Sequence, residues 1–284
     1  MPLLEETVNK RLMEKYSFLM SIYYNDNPDY LSSALDSMIG QSYPADEIVL
    51  VKDGKIGEDL QKIIDEYEKK GINLVQVQIP ENVGLGAALN EGLKHVRNDL
   101  TARMDADDIC VPDRCKLQVK EFEKTPELDI ISSPVLEFEG SIENIICERK
   151  VPVTNEEIYK CARIRDPFNH PAVMYRKKTV LAVGGYSDYR KNQDTDLWIK
   201  MLLNKAKCRN LEKPVLYFRF DDKTFARRKS FQCLNTLLEI RYNAWRSGFC
   251  SFGTFAMIAV MQTIKFIMPV KLQKLVRKNR ILGL

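Results

Sequence analysis

Arg103-Met104-Asp105-Ala106-Asp107-Asp108-Ile109 is the stretch on which the reading of the chain turns. An apolar approach, Leu100 to Met104, runs into three carboxylates within four residues. β-prone apolar runs make strands, whereas adjacent acids repel one another and belong at a strand's end or in a loop. Acids set side by side need a cation to make the arrangement tolerable, and an oxygen-rich set suits a hard divalent ion such as Mg²⁺ or Mn²⁺. The plain alternative is an Asp-rich turn capping the next helix.

Upstream, strand and helix signals alternate. Tyr16 to Tyr24 is an aromatic, apolar run of strand length. Asn25-Asp26-Asn27-Pro28 breaks it and starts a helix with Pro28 in its first turn. Glu47 to Val51 predicts a second strand ending in Lys52-Asp53-Gly54, Gly57 to Lys70 a helix, Asn73 to Ile79 a third strand, Leu85 to Val96 a helix and Leu100 to Met104 a fourth strand. Three consecutive β-α units imply an α/β fold with a parallel sheet flanked by helices. Ligands of such sheets sit at the carboxyl ends of the strands, where Tyr24, Asp53 and Asp105 all fall. A carboxylate at Asp53 can accept the N3–H of a uracil, and an Asp-Gly turn is the competing explanation. The run Asn82 to Asn90 offers a Gly-x-Gly, but Leu89 stands where a dinucleotide fingerprint needs its third glycine, and the run follows the third strand instead of the first. Its small residues instead let a helix N-terminus approach a ligand or strand closely.

Downstream, Pro112 to Lys124 reads as a helix, Asp129 to Phe138 as a strand, and residues 139–150 as an irregular hairpin. Thr154-Asn155-Glu156-Glu157 has capping-box spacing and opens a helix through Ala162. Asn169-His170-Pro171 precedes a short strand, Ala172 to Tyr175. Asp194-Thr195-Asp196 opens an amphipathic helix, Leu197 to Leu203, and Arg209 to Phe220 contains the last sheet strand. The organisation expected is an N-terminal extension over 1–15, one catalytic domain over 16–222, and a helical tail over 223–284.

Of the 284 residues 45% are hydrophobic and 29% charged, which is the composition of a folded chain and excludes a disordered one. From Ile240 onward there are eight Lys/Arg and no acid, so with a net charge of +4 the preceding 239 residues carry −4. An acidic body with a basic tail points to a negatively charged surface as the tail's partner. Seven scattered cysteines (110, 115, 147, 161, 208, 233 and 250) form no C-x-x-C pair, which argues for a reducing compartment and against a structural zinc site. The first residues lack the basic and apolar regions of a signal peptide, so a cytoplasmic location is expected.

Several stretches together, in order, resemble the family 2 glycosyltransferases, inverting enzymes of the GT-A fold, and in particular the bacterial exopolysaccharide and amylovoran-type transferases. They are SIYYN (Ser21 to Asn25), EIVLVKDG (Glu47 to Gly54), ENVGLGAALNEGL (Glu81 to Leu93), RMDADDI with PDRCKLQ (Arg103 to Gln118), and FNHPAVMYRK with GGY and QDTDLW (Phe168 to Trp198). The resemblance covers about residues 16–230. It implies a nucleotide-sugar donor, UDP-linked, with Tyr24 against the base, Asp53 at the uracil edge, Asp105 on the ribose and Asp107 holding the divalent metal. It implies Asp194 as the general base, with Asp196 as the rival. Where the family commonly has Glu-Asp, this chain has Gln193-Asp194, one negative charge fewer. His170 could contact the diphosphate or the acceptor, or be a structural histidine, and Arg227-Arg228-Lys229 could close over the diphosphate or start a solvated helix. The acceptor implied is a polyprenyl-diphosphate-linked saccharide in surface polysaccharide assembly, with no nucleic-acid partner. The alternatives are a nucleotidyltransferase, which would want a Gly-rich basic loop where Asn25-Asp26-Asn27-Pro28 stands, and a non-catalytic sugar-binding subunit.

Phe252 to Val270 is nearly apolar for nineteen residues. Lys265, Gln262 and Pro269 within it argue for a helix lying in a membrane interface, with Lys271, Lys274, Arg277, Lys278 and Arg280 on anionic headgroups, so the enzyme would sit on the cytosolic face of the inner membrane. Packing on the catalytic domain, or on the mate in a homodimer, is the alternative.

Overall fold

A computed structural model describes residues 13–220, 230–269 and 272. β1 (Tyr16–Ile22) runs through the middle of the molecule because its side chains are apolar on both faces. Tyr16, Phe18, Met20 and Ile22 enter one core and Leu19 the other, and a strand covered on both sides belongs inside a parallel sheet. β2 (Glu47–Asp53) and β4 (Leu100–Met104) flank it in parallel, and β3 (Leu74–Ile79) lies outside β2. The sheet continues past β4 through β9 (Met174–Arg176) and β6 (Ile130–Ser132), both antiparallel steps, to β10 (Cys208–Asn210). The seven-stranded order is β10-β6-β9-β4-β1-β2-β3, a mixed sheet with helices on its faces.

Helices α1 (Pro28–Ile39), α2 (Glu58–Lys69) and α3 (Leu85–His95) make the crossovers. Asn27 caps α1 through its side-chain oxygen, with Pro28 just inside. α3 sits directly on the sheet at Gly92, where a methyl group would lie 2.7 Å from Val51 Cγ2 and closer still to Leu19. In register, Met20 faces both Leu50 and Met104, so β1, β2 and β4 end at one level and their following residues share one edge.

A second sheet of four strands packs beyond that edge, in the order β5 (Ile109–Cys110), β11 (Leu216–Arg219), β7 (Val135–Phe138), β8 (Ile145–Arg149). Here the structure corrects one expectation. The run Asp129 to Phe138 is not one strand: Pro134, which has no N–H for a ladder, separates β6 from β7, and the two join different sheets. The stretch Arg209 to Phe220 contains β11 as expected, with Pro214 between it and β10. α4 (Arg114–Lys124) and α5 (Asn155–Ala162) stand where expected, and Thr154 and Glu157 form the capping box. His170 to Ala172 is a 3-10 turn, so the strand after it begins at Met174, and α6 (Lys177–Ala182) follows unforeseen.

α7 (Gln193–Leu203) carries the second acidic motif. α8 (Phe231–Arg246) packs on it, with Ile240 and Ala244 against Ile199. α9 (Phe252–Ile267) lies on α8 through Ile258 and the Trp245–Phe255 stack. Among the described residues no helix is long and apolar enough to cross a membrane. Residues 1–12, Arg227-Arg228-Lys229 and the tail cations Lys271, Lys274, Arg277, Lys278 and Arg280 lie outside the described residues.

Candidate active site

The acid cluster forms where β4 ends. Ligand oxygens of Asp105, Asp107 and Asp108 lie within 4.8 Å of one another. Asp105 is ion-paired to the buried Arg103, two residues back on the strand. Asp108 is fully buried, accepts the Arg219 N–H at 2.8 Å through Oδ1, and has no hydrogen-bond partner for Oδ2. Burial, then the Asp107 and Asp105 carboxylates, push its pKa well above the usual carboxylate range. Three crowded oxygens, one of them orphaned, fit a hard divalent cation, which would supply the positive charge the cluster lacks.

Two arginines that sequence reading missed hold this loop. Arg114, buried at the start of α4, donates from Nη2 to the Arg103 carbonyl at 2.7 Å and to the Val173 carbonyl at 3.2 Å. Gln118 in turn donates to the Ala172 carbonyl at 2.8 Å. Their spacing of four on one helix face was the available signal, since such residues are neighbours. Arg219, at the end of β11, donates from Nε to the Asp107 carbonyl at 2.9 Å and lies 3.8 Å over the Tyr30 ring. No local signal marks Arg219, whose hydrogen-bond partners Asp107, Asp108 and Gly140 lie 112, 111 and 79 residues away.

Tyr24 follows β1 at the same edge, 68% exposed and edge-on to Tyr23, so its face is free to stack. Asp53 is another matter. It is 3% exposed, and its oxygens accept from Val83 N at 2.7 Å, Gly84 N at 3.0 Å and Asn82 Nδ2 at 2.9 Å. The carboxylate thus holds the loop that enters α3. Gly54, at φ +86°, brings the backbone so close that a Cβ would lie 2.8 Å from Asn82 N. The same loop is clasped by Arg190, whose Nη1 donates to Asn82 Oδ1 at 2.8 Å, joining it to the segment that leads into α7.

That segment ends in Asn192, in the left-handed region at φ 56°, a conformation asparagine tolerates better than most residues. Its amide donates to the Cys233 carbonyl of α8 at 2.9 Å, so α8 helps fix the entry into α7. Asp194 lies in the first turn, half-buried, with the Thr195 N–H available to its carboxylate. Burial, followed by the Asp166 carboxylate, pushes its pKa up to about 6. Asp196 is differently placed, bonded to the Ser187 hydroxyl and paired with Lys200 at 3.2 Å. His170 is buried against Trp198, bonds the Tyr186 hydroxyl at 2.9 Å, and is driven well below its ordinary pKa by burial and by Arg103. Burial thus favours its neutral form, and its ring is held by Tyr186 and Trp198.

A mixed α/β sheet with an acid cluster at the end of its fourth strand and a second carboxylate opening a late helix defines a GT-A-type transferase. The sequence profile of glycosyl transferase family 2 matches residues 18–185, and the chain belongs to that family. It is a glycosyltransferase. It is 39% identical, over 86% of its length and 91% of the relative's, to an uncharacterized glycosyltransferase of Haemophilus influenzae. It is 32% identical to a UDP-Gal:alpha-D-GlcNAc-diphosphoundecaprenol beta-1,3-galactosyltransferase of Escherichia coli, covering 93% of this chain and 96% of that one. It is 31% identical to the amylovoran biosynthesis glycosyltransferase AmsE of Erwinia amylovora, covering 93% and 99%. Among solved structures, S. aureus TarS 1-349 in complex with UDP-GlcNAc superposes with a TM-score of 0.64 at 18% identity, over 80% of this chain. The mannosyltransferase PcManGT of Pyrobaculum calidifontis, with GDP-Man and Mn²⁺, gives 0.62 at 16%, over 82%. The chain spans 65% and 64% of those two solved chains, and the likeness establishes the shared fold.

Proposed function

We propose that this glycosyltransferase moves a sugar from a UDP-linked donor to a polyprenyl-diphosphate-linked saccharide, with inversion at the anomeric carbon, in surface polysaccharide assembly. The observation that carries the reading is the division of labour between two acidic sites: a crowded cluster at the end of β4 and a lone raised-pKa carboxylate at the start of α7. The donor and acceptor classes are supported by the name of the Escherichia coli relative, and the biosynthetic role by that of the Erwinia amylovora relative, both of which align over nearly their whole lengths.

Asp107, with Asp108 Oδ2 beside it, would hold a divalent ion, Mg²⁺ or Mn²⁺, whose charge stabilises the departing nucleoside diphosphate. Asp105, fixed by Arg103, accepts from the ribose hydroxyls, and the exposed face of Tyr24 stacks on the base. Asp53 acts one step back, by shaping the loop over which the donor lies. Asp194 takes the proton from the acceptor hydroxyl as that oxygen attacks from the face opposite the leaving group. A base whose pKa sits near neutrality is well matched to that task.

The exposed side chains of α9 supply a contact for the acceptor's membrane. Met257, Val260, Met261, Ile264 and Ile267 recur at helical spacing and are each at least 43% exposed. Such a stripe, followed in sequence by five cations, suits the interface of an anionic bilayer on its cytosolic face. Replacing Val260 and Ile264 with Glu should abolish binding of the full-length chain to phosphatidylglycerol vesicles. Unchanged vesicle binding refutes the assignment, and a fall from dimer to monomer would assign the stripe to a homodimer.

The reaction is tested by incubating the protein with Mn²⁺, a series of UDP- and GDP-sugars and a short polyprenyl-diphosphate-linked saccharide, then reading the product's anomeric configuration by NMR. Metal-dependent transfer with inversion is expected. Retention of configuration, or release of pyrophosphate in place of nucleoside diphosphate, contradicts the proposal.

A further inference from the structure

Arg103 is 1% exposed and lies two residues before the acid cluster. It stands opposite Leu19 in the β4–β1 register, so its side chain leaves the sheet on the face that packs Tyr175, Tyr186 and Trp198. Its backbone is held from two sides, N donating to the Val173 carbonyl at 3.0 Å and O accepting from Arg114 Nη2 at 2.7 Å. Nη2 is spent on Asp105. Nε and Nη1 are buried and bond nothing in the protein, as is the Trp198 Nε1–H of the same cluster. An apolar side chain would fill this interior without leaving such donors unmet, so a cation here calls for an explanation beyond packing. Trp198 of that cluster lies one turn along α7 from Asp194, so the Arg103 side chain stands between the donor-side acids and the helix face that carries the acceptor-side carboxylate.

We propose that Arg103 is a positioning residue that couples the two acidic sites: it clamps Asp105 in the orientation that receives the ribose, and its buried charge keeps Asp194 in the carboxylate form. This role rests on the proposed assignments of Asp105 and Asp194. Among the described residues, charged and titratable groups near Asp194 come from several neighbouring elements. Asp166, in the loop after α5, opposes the field of Arg103, with Arg241 of α8 3.8 Å from its Oδ1. Tyr186 faces it from the turn after α6, His170 of the 3-10 turn is neutral, and on α7 itself Asp196 and Lys200 are paired with each other. Arg103 thus acts from β4 as the counterweight to Asp166.

The test compares full-length Arg103→Gln and Arg103→Lys with the parent by UDP–Mn²⁺ calorimetry, the acid limb of kcat/KM, and thermal melting. Arg103→Gln should weaken UDP binding on the order of tenfold, the loss of one charge-assisted bond. It should also move the acid limb upward by about one pH unit. Arg103→Lys keeps the charge but not the planar fork, so the limb should return to its parental position while UDP binding stays weak. A Gln variant that melts lower yet keeps parental UDP affinity and an unmoved limb overturns the proposal and leaves Arg103 a purely structural residue. Should the Gln variant fail to fold, Arg103→Met replaces it for the limb, where an unmoved limb refutes the coupling, and the Lys variant decides the clamp: weak UDP binding supports it, and unaltered UDP affinity refutes it. A parent that binds UDP–Mn²⁺ but transfers no sugar would overturn the transfer reading itself, and would show this before any variant is compared.

Discussion

At the end of β4, three carboxylates crowd within 4.8 Å, and at the start of α7 Asp194 stands with one acidic neighbour, Asp166. The functional group is the same in both places, yet the surroundings give it opposite uses. The β4 acids repel one another and are backed by arginines, Arg103 on Asp105 and Arg219 on the loop backbone, an arrangement that gathers negative charge for a cation. Burial and the Asp166 carboxylate raise the proton affinity of Asp194, while the first N–H groups of the helix oppose that rise and favour its carboxylate form. Environments that separate the behaviour of like groups are how one fold assigns acid, base and metal-binding roles. The segment leading into α7 is held by the Arg190–Asn82 clasp to the loop after β3 and by Asn192 to α8, so distant parts of the chain fix the position of Asp194.

Removing an acid from the metal side should be the harshest change. Asp107→Ala is expected to lower kcat/KM about a thousandfold and to erase its dependence on Mn²⁺ concentration, because charge neutralisation on the leaving group is lost. Full activity with unchanged Mn²⁺ dependence would dissolve the contrast between the two regions.

Asp53 sharpens the same contrast from the structural side. Asp53→Ala leaves Val83 N, Gly84 N and Asn82 Nδ2 without their acceptor, and should destabilise the fold by about 1–3 kcal/mol in urea titration. A variant as stable as the parent, with a selective loss of uridine over cytidine nucleotides, would instead restore the base-edge role.

On the α7 side the acid limb is diagnostic. The base works only when deprotonated, so kcat/KM should fall as the pH drops through about 6, roughly tenfold per unit below it. A limb near 4 would remove the environmental distinction. Asp196→Asn should have the smallest effect, less than about tenfold in kcat, since Asp196 is occupied by Lys200 and Ser187. A larger loss there than at Asp194 would exchange the roles of the two residues.

The parts legible in the sequence were those governed by short-range pattern. β1 and β2 read as largely apolar runs because both their faces are covered, and the acid cluster announced itself by placing like charges side by side. The capping box at Thr154 was legible for the same reason, its two bonds closing within three residues. What escaped depended on partners far along the chain. A strand-final Asp-Gly does not announce a structural partner, and the bond to Asp53 comes from Asn82, twenty-nine residues on. The division at Pro134 was marked by the residue type but overlooked within an otherwise strand-like run. Arg103, Arg114 and Arg219 read as ordinary charged residues, since nothing local says that a guanidinium will be buried under a loop. α8 read as part of a tail, while in the fold it buries Arg241 beneath the loop that carries Asp166.

The claim that the proton and the leaving group are handled by separate carboxylates is met most directly by one paired measurement on Asp194→Asn: sugar transfer to the lipid-linked acceptor, and UDP–Mn²⁺ affinity by calorimetry on the same preparation. Asn preserves shape and removes the charge whose burial the fold resists, so the variant should melt no lower than the parent at pH 7. We expect transfer to fall by about a thousandfold while UDP–Mn²⁺ binds as in the parent. Parental turnover by the variant, or loss of UDP–Mn²⁺ binding in step with turnover, would contradict the claim.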